Sequence, residues 1–188
     1  MAKSLNLLWG ITGSVAAIRA PIIAHNLQAL GEIKVVVTQH GKHFLDPLPK
    51  SIEVLEDAHE WSSWSKLGDP VLHIELRKWA DVFLIAPISA DTLAKLANGI
   101  CDNLLLSVAK AWDFGKPIII APAMNTFMWE HPTTGEHLRK LQSWGVHVIP
   151  PVEKELACKD IGVGALAPPD AITAQVSSIL ARLPNPGK

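Results

Sequence analysis

The chain has 188 residues, of which 48% are hydrophobic and 19% are charged, and its 17 Lys and Arg nearly balance its 18 Asp and Glu. This length predicts a single domain, which we place at residues 1–183, and the apolar content excludes an intrinsically disordered chain. A net charge of −1 lacks the basic excess of nucleic-acid-binding proteins, and no apolar stretch is long enough for a transmembrane helix. We therefore expect neither a nucleic-acid partner nor membrane insertion.

The cysteines and histidines exclude several kinds of site. Cys101 and Cys158 do not form a Cys-x-x-Cys pair, which excludes a zinc ribbon or a thioredoxin motif. No two histidines stand four residues apart with an acidic third ligand, so we predict no metal site. A serine hydrolase is also excluded, because no Gly-x-Ser-x-Gly elbow is present. Free thiols in a chain that can bury its own core suit a reducing compartment, which favours a cytoplasmic location.

Short apolar segments rich in Val, Ile and Leu alternate with helical patterns along the chain. The predicted strands are Leu5–Trp9, Lys34–Thr38, Val82–Ala86, Pro117–Ala121 and Val146–Ile149. The predicted helices are Ser14–Leu30, Leu72–Ala80, Asp91–Ala97, Asn103–Trp112, Thr134–Trp144 and Asp170–Leu183. This alternation predicts an α/β fold with a doubly wound, mostly parallel sheet of the Rossmann-like or flavodoxin-like type.

The sequence also predicts the start of the chain, two helix caps, two long loops and the C-terminal tail. The apolar start of the chain resembles a signal peptide, but Gly10 and Gly13 interrupt it and favour a first strand. Gly31 is predicted to cap the first helix at its C-terminus, and Asp102 to cap the fourth at its N-terminus. Residues 45–66 and 150–169 lack periodicity, and long irregular loops of this kind are usually functional or mobile. Residues 184–188 are expected to form a frayed tail.

Small, hydroxyl and amide residues follow four of the predicted strands. These clusters lie at residues 10–16, 38–43, 87–92 and 122–129. Ligands of open α/β sheets bind at the carboxyl ends of the strands, and a glycine-bearing turn before a helix presents N–H groups to an anion. The first cluster does not have the Gly-x-Gly-x-x-Gly spacing of a nicotinamide site, and alone it fits a plain tight turn equally well. Together the clusters are typical of a mononucleotide or flavin site.

Five segments occur in an order that points to a known family. They are Gly13–Ala17, Leu72–Arg77, Pro87–Thr92, Pro122–Trp129 and Leu156–Ala165. Over nearly its whole length the chain resembles the homo-oligomeric flavin-containing cysteine decarboxylases, particularly their plant halotolerance-type branch. The Pro-x-Met-Asn-x-x-Met-Trp segment at residues 122–129 is the most specific of these motifs.

The resemblance implies FMN as the cofactor and a role for each matching residue. The FMN-binding residues would be Gly13, Ser14, Val15, Ala16, Thr38, Phe44, Ser89, Ala90, Asp91, Thr92, Ala123 and Met124. His73 would be the catalytic base or acid, although a histidine on a short amphipathic helix is more often structural. Cys158 would serve the last catalytic step. Asn125 would hold the substrate carboxylate, with Met128, Ala157 and Lys159 also binding substrate. Residues 150–169 would form a flap, and the protein would be a homo-oligomer with flavin sites between subunits, a trimer as is typical of the family.

The implied reaction is the decarboxylation of phosphopantothenoylcysteine to phosphopantetheine in coenzyme A biosynthesis. Flavin would oxidise the thiol to a thioaldehyde, CO2 would leave, and the resulting enethiolate would be reduced again. Two alternatives remain, an oxidative decarboxylase of a peptide C-terminal cysteine and a non-catalytic flavoprotein regulator. Cys158 argues against the first, because that reaction needs no reductive step, and the complete set of His73, Asn125 and Cys158 argues against the second.

Three positions depart from the family pattern. Asp91 stands where the family usually has Asn, and its carboxylate would oppose an anionic phosphate or alter the flavin's redox poise. Lys159 replaces a Gly and adds a cation suited to a substrate phosphate. Leu166 replaces a Met. These departures leave the identity of the substrate open.

Overall fold

The computed structural model describes residues 5–155 and 161–182, with Glu155 described by its backbone alone. Its main sheet has six strands, β1 (Leu5–Ile11), β2 (Gly31–Val37), β3 (Glu53–Leu55), β4 (Val82–Ile88), β5 (Ile118–Pro122) and β6 (His147–Val148). The strand order is β3-β2-β1-β4-β5-β6, and every pairing is parallel. The order reverses between β1 and β4, which confirms the predicted doubly wound fold.

Helices connect the strands and cover both faces of this sheet. A 3-10 helix (Val15–Arg19) leads into α1 (Ala20–Leu27), followed by α2 (Gln39–Lys42), α3 (Asp57–Ser62), α4 (Leu72–Trp79), α5 (Ala90–Ala97), α6 (Leu104–Lys110), α7 (Thr126–Trp129), α8 (Pro132–Ser143) and α9 (Pro169–Ala181). Two further strands, β7 (Val152–Glu155) and β8 (Ile161–Ala165), pair antiparallel in a separate sheet. None of the helices in the described part of the chain is long and apolar enough to span a membrane.

The core consists of two apolar layers, one on each face of the sheet. Trp9 and Leu84 belong to the layer that α1 and α9 cover. Leu8 and Phe83, one residue away in each strand, belong to the layer on the other face, where α5 and α6 pack. Because adjacent residues of a strand point to opposite faces, a strand buried on both sides has no polar alternation. This is why the central strands were evident as continuous apolar runs.

Two segments expected to be irregular contain regular structure. Residues 45–66 hold β3 and α3, and β3 was missed because it is a three-residue edge strand that begins with the exposed Glu53. Residues 150–169 hold β7 and β8. The tail predicted at residues 184–188 lies outside the described residues.

The structure also corrects the ends of two predicted helices. The first helix begins as a 3-10 turn, and α1 has Pro21 in its first turn, where a missing N–H costs no hydrogen bond. Gly31 is not a helix cap but the first residue of β2, where an added Cβ would lie 2.1 Å from the carbonyl oxygen of Leu5. The N-cap of α6 is Asn103 rather than Asp102, because its Oδ1 accepts the Leu106 N–H at 2.9 Å.

Candidate functional site

A cavity of about 830 Å³ lies at the carboxyl ends of β1, β2, β4 and β5. This volume falls within the roughly 300–1,000 Å³ of typical ligand pockets. The cavity spans the β1–β4 boundary, where the strand order reverses and where open α/β sheets bind ligands. Its wall includes most of the predicted binding residues, namely Gly13, Ser14, Val15, Ala16, Thr38, Ser89, Ala90, Asp91, Thr92, Ala123, Met124, Asn125 and Met128. The four clusters that follow the strands therefore form one site.

The loop after β1 is held by its neighbours on both sides. An added Cβ at Gly13 would lie 2.6 Å from the Cβ of His40, so this loop and the one after β2 approach too closely for a larger residue. On the other side, the buried Thr12 donates from Oγ1 to the Pro87 carbonyl at 2.9 Å and accepts the Ser89 N–H at 2.8 Å. Thr12 thereby fixes the end of β1 to the end of β4.

Hydroxyl side chains cap the helices that begin at the cavity. Ser14 Oγ accepts the Ala16 N–H at 3.4 Å, and Thr38 Oγ1 accepts the Gly41 N–H at 3.1 Å. Ser89 caps α5 by accepting the Thr92 N–H at 3.3 Å, and its own hydroxyl donates to Thr92 Oγ1 at 3.1 Å. The first turn of α5 thus contributes the positive end of its dipole to the cavity wall, which favours an anionic ligand group.

The carboxylate of Asp91 belongs to an ion-pair network at the cavity wall. Lys95 Nζ lies 3.2 Å from Asp91 Oδ2 and 2.9 Å from Asp102 Oδ2. The hydrogen bonds to Asp102 and then to Asp91 raise the pKa of Lys95 above its usual value. Lys95 therefore offsets part of the repulsion that Asp91 was expected to exert on an anionic phosphate, although exposed pairs of this kind are weak.

The wall formed by β5 and β8 positions Asn125. Asn125 caps α7, since its Oδ1 accepts the Phe127 N–H at 2.9 Å, and this bond orients the side-chain amide. The Met124 N–H donates to the Gly164 carbonyl at 2.9 Å. Gly164 has φ +147°, and an added Cβ would lie 2.3 Å from the Met124 carbonyl oxygen. Only glycine permits β8 to approach the end of β5 this closely.

His73 and Phe44 do not line this cavity. His73 lies in the first turn of α4, where its Nδ1 is 2.6 Å from Glu60 Oε1 and its backbone N–H donates to Glu60 Oε2 at 3.1 Å. Phe44 packs against the core layer under α1 and meets the His43 ring edge-on, with the ring centroids 4.8 Å apart. Within one copy of the chain, therefore, neither side chain is placed to contact a ligand in the cavity. Ala157, Cys158 and Lys159 lie outside the described residues.

The cavity is also lined by residues that no sequence motif indicated. These include Arg19, Asp57, Lys95, Asp102, Asn103 and Lys154. The i,i+4 spacing of Asp91 and Lys95 is a signal that indicates a helical ion pair. Asp57 gave no such signal, because its Oδ1 accepts the N–H of the distant Leu104 at 2.9 Å, a contact that depends on the tertiary fold.

The donor set of the cavity suits a nucleotide-like ligand such as a flavin. Hydroxyls, helix N-termini and the cations Arg19 and Lys154 can meet a phosphate and a polyol, while Ala123 and Met124 present apolar surface to a ring. Among residues 5–154 and 161–182, no group of three or more His, Cys, Asp or Glu side chains could hold a metal ion.

Comparison with known proteins agrees with this chemistry. The flavoprotein family matches residues 1–181. Phosphopantothenoylcysteine decarboxylase of Arabidopsis thaliana is 51% identical over 172 residues, covering 90% of this chain and 82% of that protein. The Mus musculus enzyme of the same name is 46% identical over 182 residues, covering 96% and 89% of the two chains.

The fold is also similar to solved structures of flavoproteins. A mutant PPC decarboxylase complexed with pantothenoylaminoethenethiol superposes with a TM-score of 0.94 at 48% identity, covering 95% of this chain and all of that one. The FMN binding protein AtHal3 has a TM-score of 0.91, also at 48% identity, covering 97% of this chain and all of that one. By the match of its sequence and its fold, the chain belongs to the flavoprotein family.

Proposed function

We propose that this chain binds FMN in the cavity and decarboxylates phosphopantothenoylcysteine to phosphopantetheine, a step of coenzyme A biosynthesis. The observation that carries the proposal is that one cavity gathers the family's binding segments from four strand ends, including Asn125 and Met128. The relatives named phosphopantothenoylcysteine decarboxylase match most of both chains, which supports the same activity here.

The residues of the chain have distinct tasks in this reaction. FMN, when bound, supplies the reversible two-electron oxidation that makes loss of CO2 from a cysteine carboxylate possible. The neutral amide of Asn125 binds the carboxylate without adding a charge that would oppose its departure as CO2. Ser14, Ser89 and Thr92 offer hydroxyl groups to the cofactor. Cys158 provides the proton for the last step, and a relative that holds an enethiol compound supports such an intermediate.

The position of His73 supports a homo-oligomer in which one copy completes the site of another. Two sets of exposed apolar residues could form such a contact, one in the segment before His73 and one beside the cavity. The loop patch comprises the exposed apolar residues Trp61, Trp64, Leu67 and Val71, which precede His73 in the chain, and Leu67 is 96% exposed. The rim patch comprises Val15, Ile18 and Ile22 beside the cavity, each more than 40% exposed. Exposed apolar patches of this kind usually mark interfaces.

We propose that the loop patch of one copy covers the rim patch of the next, which brings His73 to the neighbouring cavity. Contact between two different patches is heterologous, and it forms a ring when the rotation between copies closes; the smallest such ring is a trimer. Light scattering should therefore give three times the chain mass of 20.4 kDa. A monomer at micromolar concentration would contradict both the oligomer and a flavin site shared between copies.

We also propose a cytoplasmic location. Cys101 is an exposed free thiol, and a reducing compartment keeps such a thiol free. Fractionation of cells that express the tagged chain would test this, and recovery from an oxidising compartment would contradict it.

The activity is tested by incubating the purified protein, loaded with FMN, with phosphopantothenoylcysteine and measuring the product mass. Saturated phosphopantetheine is the expected product. Release of the enethiol, two hydrogens lighter, would instead indicate an oxidative decarboxylase of the peptide type. A folded protein that takes up no FMN would refute the site itself.

A further inference from the structure

The contact between His73 and Glu60 has a geometry that determines which ring nitrogen carries the proton. Glu60 is on α3, and both of its carboxylate oxygens face the start of α4. Oε1 lies 2.6 Å from His73 Nδ1, and Oε2 accepts the His73 backbone N–H at 3.1 Å. The side chains are 27% exposed for His73 and 16% exposed for Glu60, so the pair is largely shielded from water.

We propose that Glu60 is a positioning residue that holds His73 as the Nδ1–H tautomer and thereby makes Nε2 the proton acceptor. A carboxylate only accepts hydrogen bonds, so the short contact at Nδ1 requires the proton to be on that nitrogen. In the neutral ring the lone pair is then on Nε2, at the far side of the imidazole from Glu60.

The orientation of Glu60 is itself fixed by the local structure. Glu56 caps α3 by a reciprocal pair of hydrogen bonds with His59, in which the Glu56 N–H donates to His59 Nδ1 at 2.9 Å. Glu60 also accepts the backbone N–H of His73, and this second hydrogen bond prevents the carboxylate from rotating away from the ring. The ring is therefore oriented before any substrate arrives.

This inference rests on the proposed function for its catalytic consequence. As base, His73 Nε2 would take the proton of the substrate thiol, the S–H bond would break, and its electron pair would remain on sulfur. The ring would then be an imidazolium that still donates from Nδ1 to Glu60, whose negative charge would stabilise it. The proton would return from Nε2 to the sulfur as the product thiol forms. The separate proton on carbon would come from Cys158, which solvent would reprotonate, so the proton transfers balance over the cycle.

Substitution of Glu60 by Gln tests this directly, because Gln has one side-chain oxygen where Glu60 has two. The His73 backbone N–H and His73 Nδ1 would then compete for that single acceptor. The His73 backbone N–H can only donate, so it will form its hydrogen bond with the single carbonyl oxygen of the Gln amide. The amide NH2 then faces Nδ1, which must accept. The ring is forced into the opposite tautomer, with the proton on Nε2 and no lone pair there to act as a base.

The experiment compares wild type, Glu60→Gln, Glu60→Asp and the control Glu75→Gln, all with FMN bound. Glu75 is an exposed residue of α4 that pairs with Lys78, so its replacement changes the same helix without touching His73. Imidazole nitrogen shifts are recorded by 15N NMR and followed to a pH at which the ring is neutral. The His73 signals are assigned by their loss in His73→Asn.

We expect an Nδ1–H ring in wild type, Glu75→Gln and Glu60→Asp, and an Nε2–H ring in Glu60→Gln. We also expect kcat of Glu60→Gln to fall by about 10²–10⁴-fold, the usual effect of losing a general base, while KM stays within about 3-fold. Circular dichroism and flavin absorbance verify that each variant is folded and loaded.

An Nε2–H ring in wild type, or an unchanged tautomer and kcat in Glu60→Gln, would overturn the inference. If Glu60→Gln does not fold, the tautomers of wild type and Glu60→Asp decide the matter. If wild type does not decarboxylate phosphopantothenoylcysteine, the proposed function fails, while the NMR result still decides the role of Glu60.

Discussion

Replacement of Thr12 by Val tests how the two central loops of the cavity are joined. Valine matches threonine in shape and replaces only the hydroxyl by a methyl group. Two hydrogen bonds are lost, the one donated to the Pro87 carbonyl and the one accepted from the Ser89 N–H. The Pro87 carbonyl still accepts the Thr12 backbone N–H at 3.3 Å, so the buried Ser89 N–H is the group left without its acceptor.

An unsatisfied buried donor costs about 1–3 kcal/mol, and we expect the free energy of unfolding to fall by this amount. We also expect weaker FMN binding, because Ser89 caps α5 at the cavity wall. The assay is urea unfolding of the flavin-free protein, followed by tryptophan fluorescence. Trp9 is a suitable reporter since it is fully buried and its Nε1 donates to the Ala86 carbonyl at 2.7 Å. All samples need equal protein concentration, because dissociation of an oligomer makes stability concentration-dependent.

Thr133→Val is the matched control. Thr133 is exposed and its hydroxyl contacts only the exposed His131 in the described structure, so its replacement should change stability by less than about 0.5 kcal/mol. If Thr12→Val is as stable as this control, the Ser89 N–H has another acceptor, and the claim that Thr12 joins β1 to β4 is refuted.

Three other substitutions test individual residues of the site. His73→Asn should retain FMN and the oligomer but lose about 10²–10⁴-fold in turnover, and near-normal turnover would make His73 structural. Cys158→Ser should release the enethiol and leave the flavin reduced after one anaerobic turnover, whereas saturated product at the wild-type rate would refute the role of Cys158. Asp91→Asn removes one partner of Lys95 and should tighten FMN binding by about 2–5-fold at low salt, as measured by flavin fluorescence. An affinity equal to that of wild type at every salt concentration would contradict the expected effect of the Asp91 carboxylate.

The sequence predicted the central strands well, because a continuous apolar run indicates a strand that is buried on both faces. The strand β4 is an example, since all of its residues are buried. The strand-end clusters were brought together correctly because the carboxyl ends of parallel strands share one edge. The contact of Asp57 with Leu104 and that of Glu60 with His73 could not be predicted in this way, because they join helices whose packing no local pattern encodes.

The location of His73 outside the cavity of its own chain has a genetic consequence. In the proposed trimer, each active site takes its cavity from one chain and its histidine from the next. An allele that lacks His73 and a second allele that lacks Asn125 would each encode an inactive protein. Random mixing of the two chains would nevertheless restore both groups in about a quarter of the sites, provided that the ring assembles head to tail. The two defective alleles would complement each other, although neither copy could function alone.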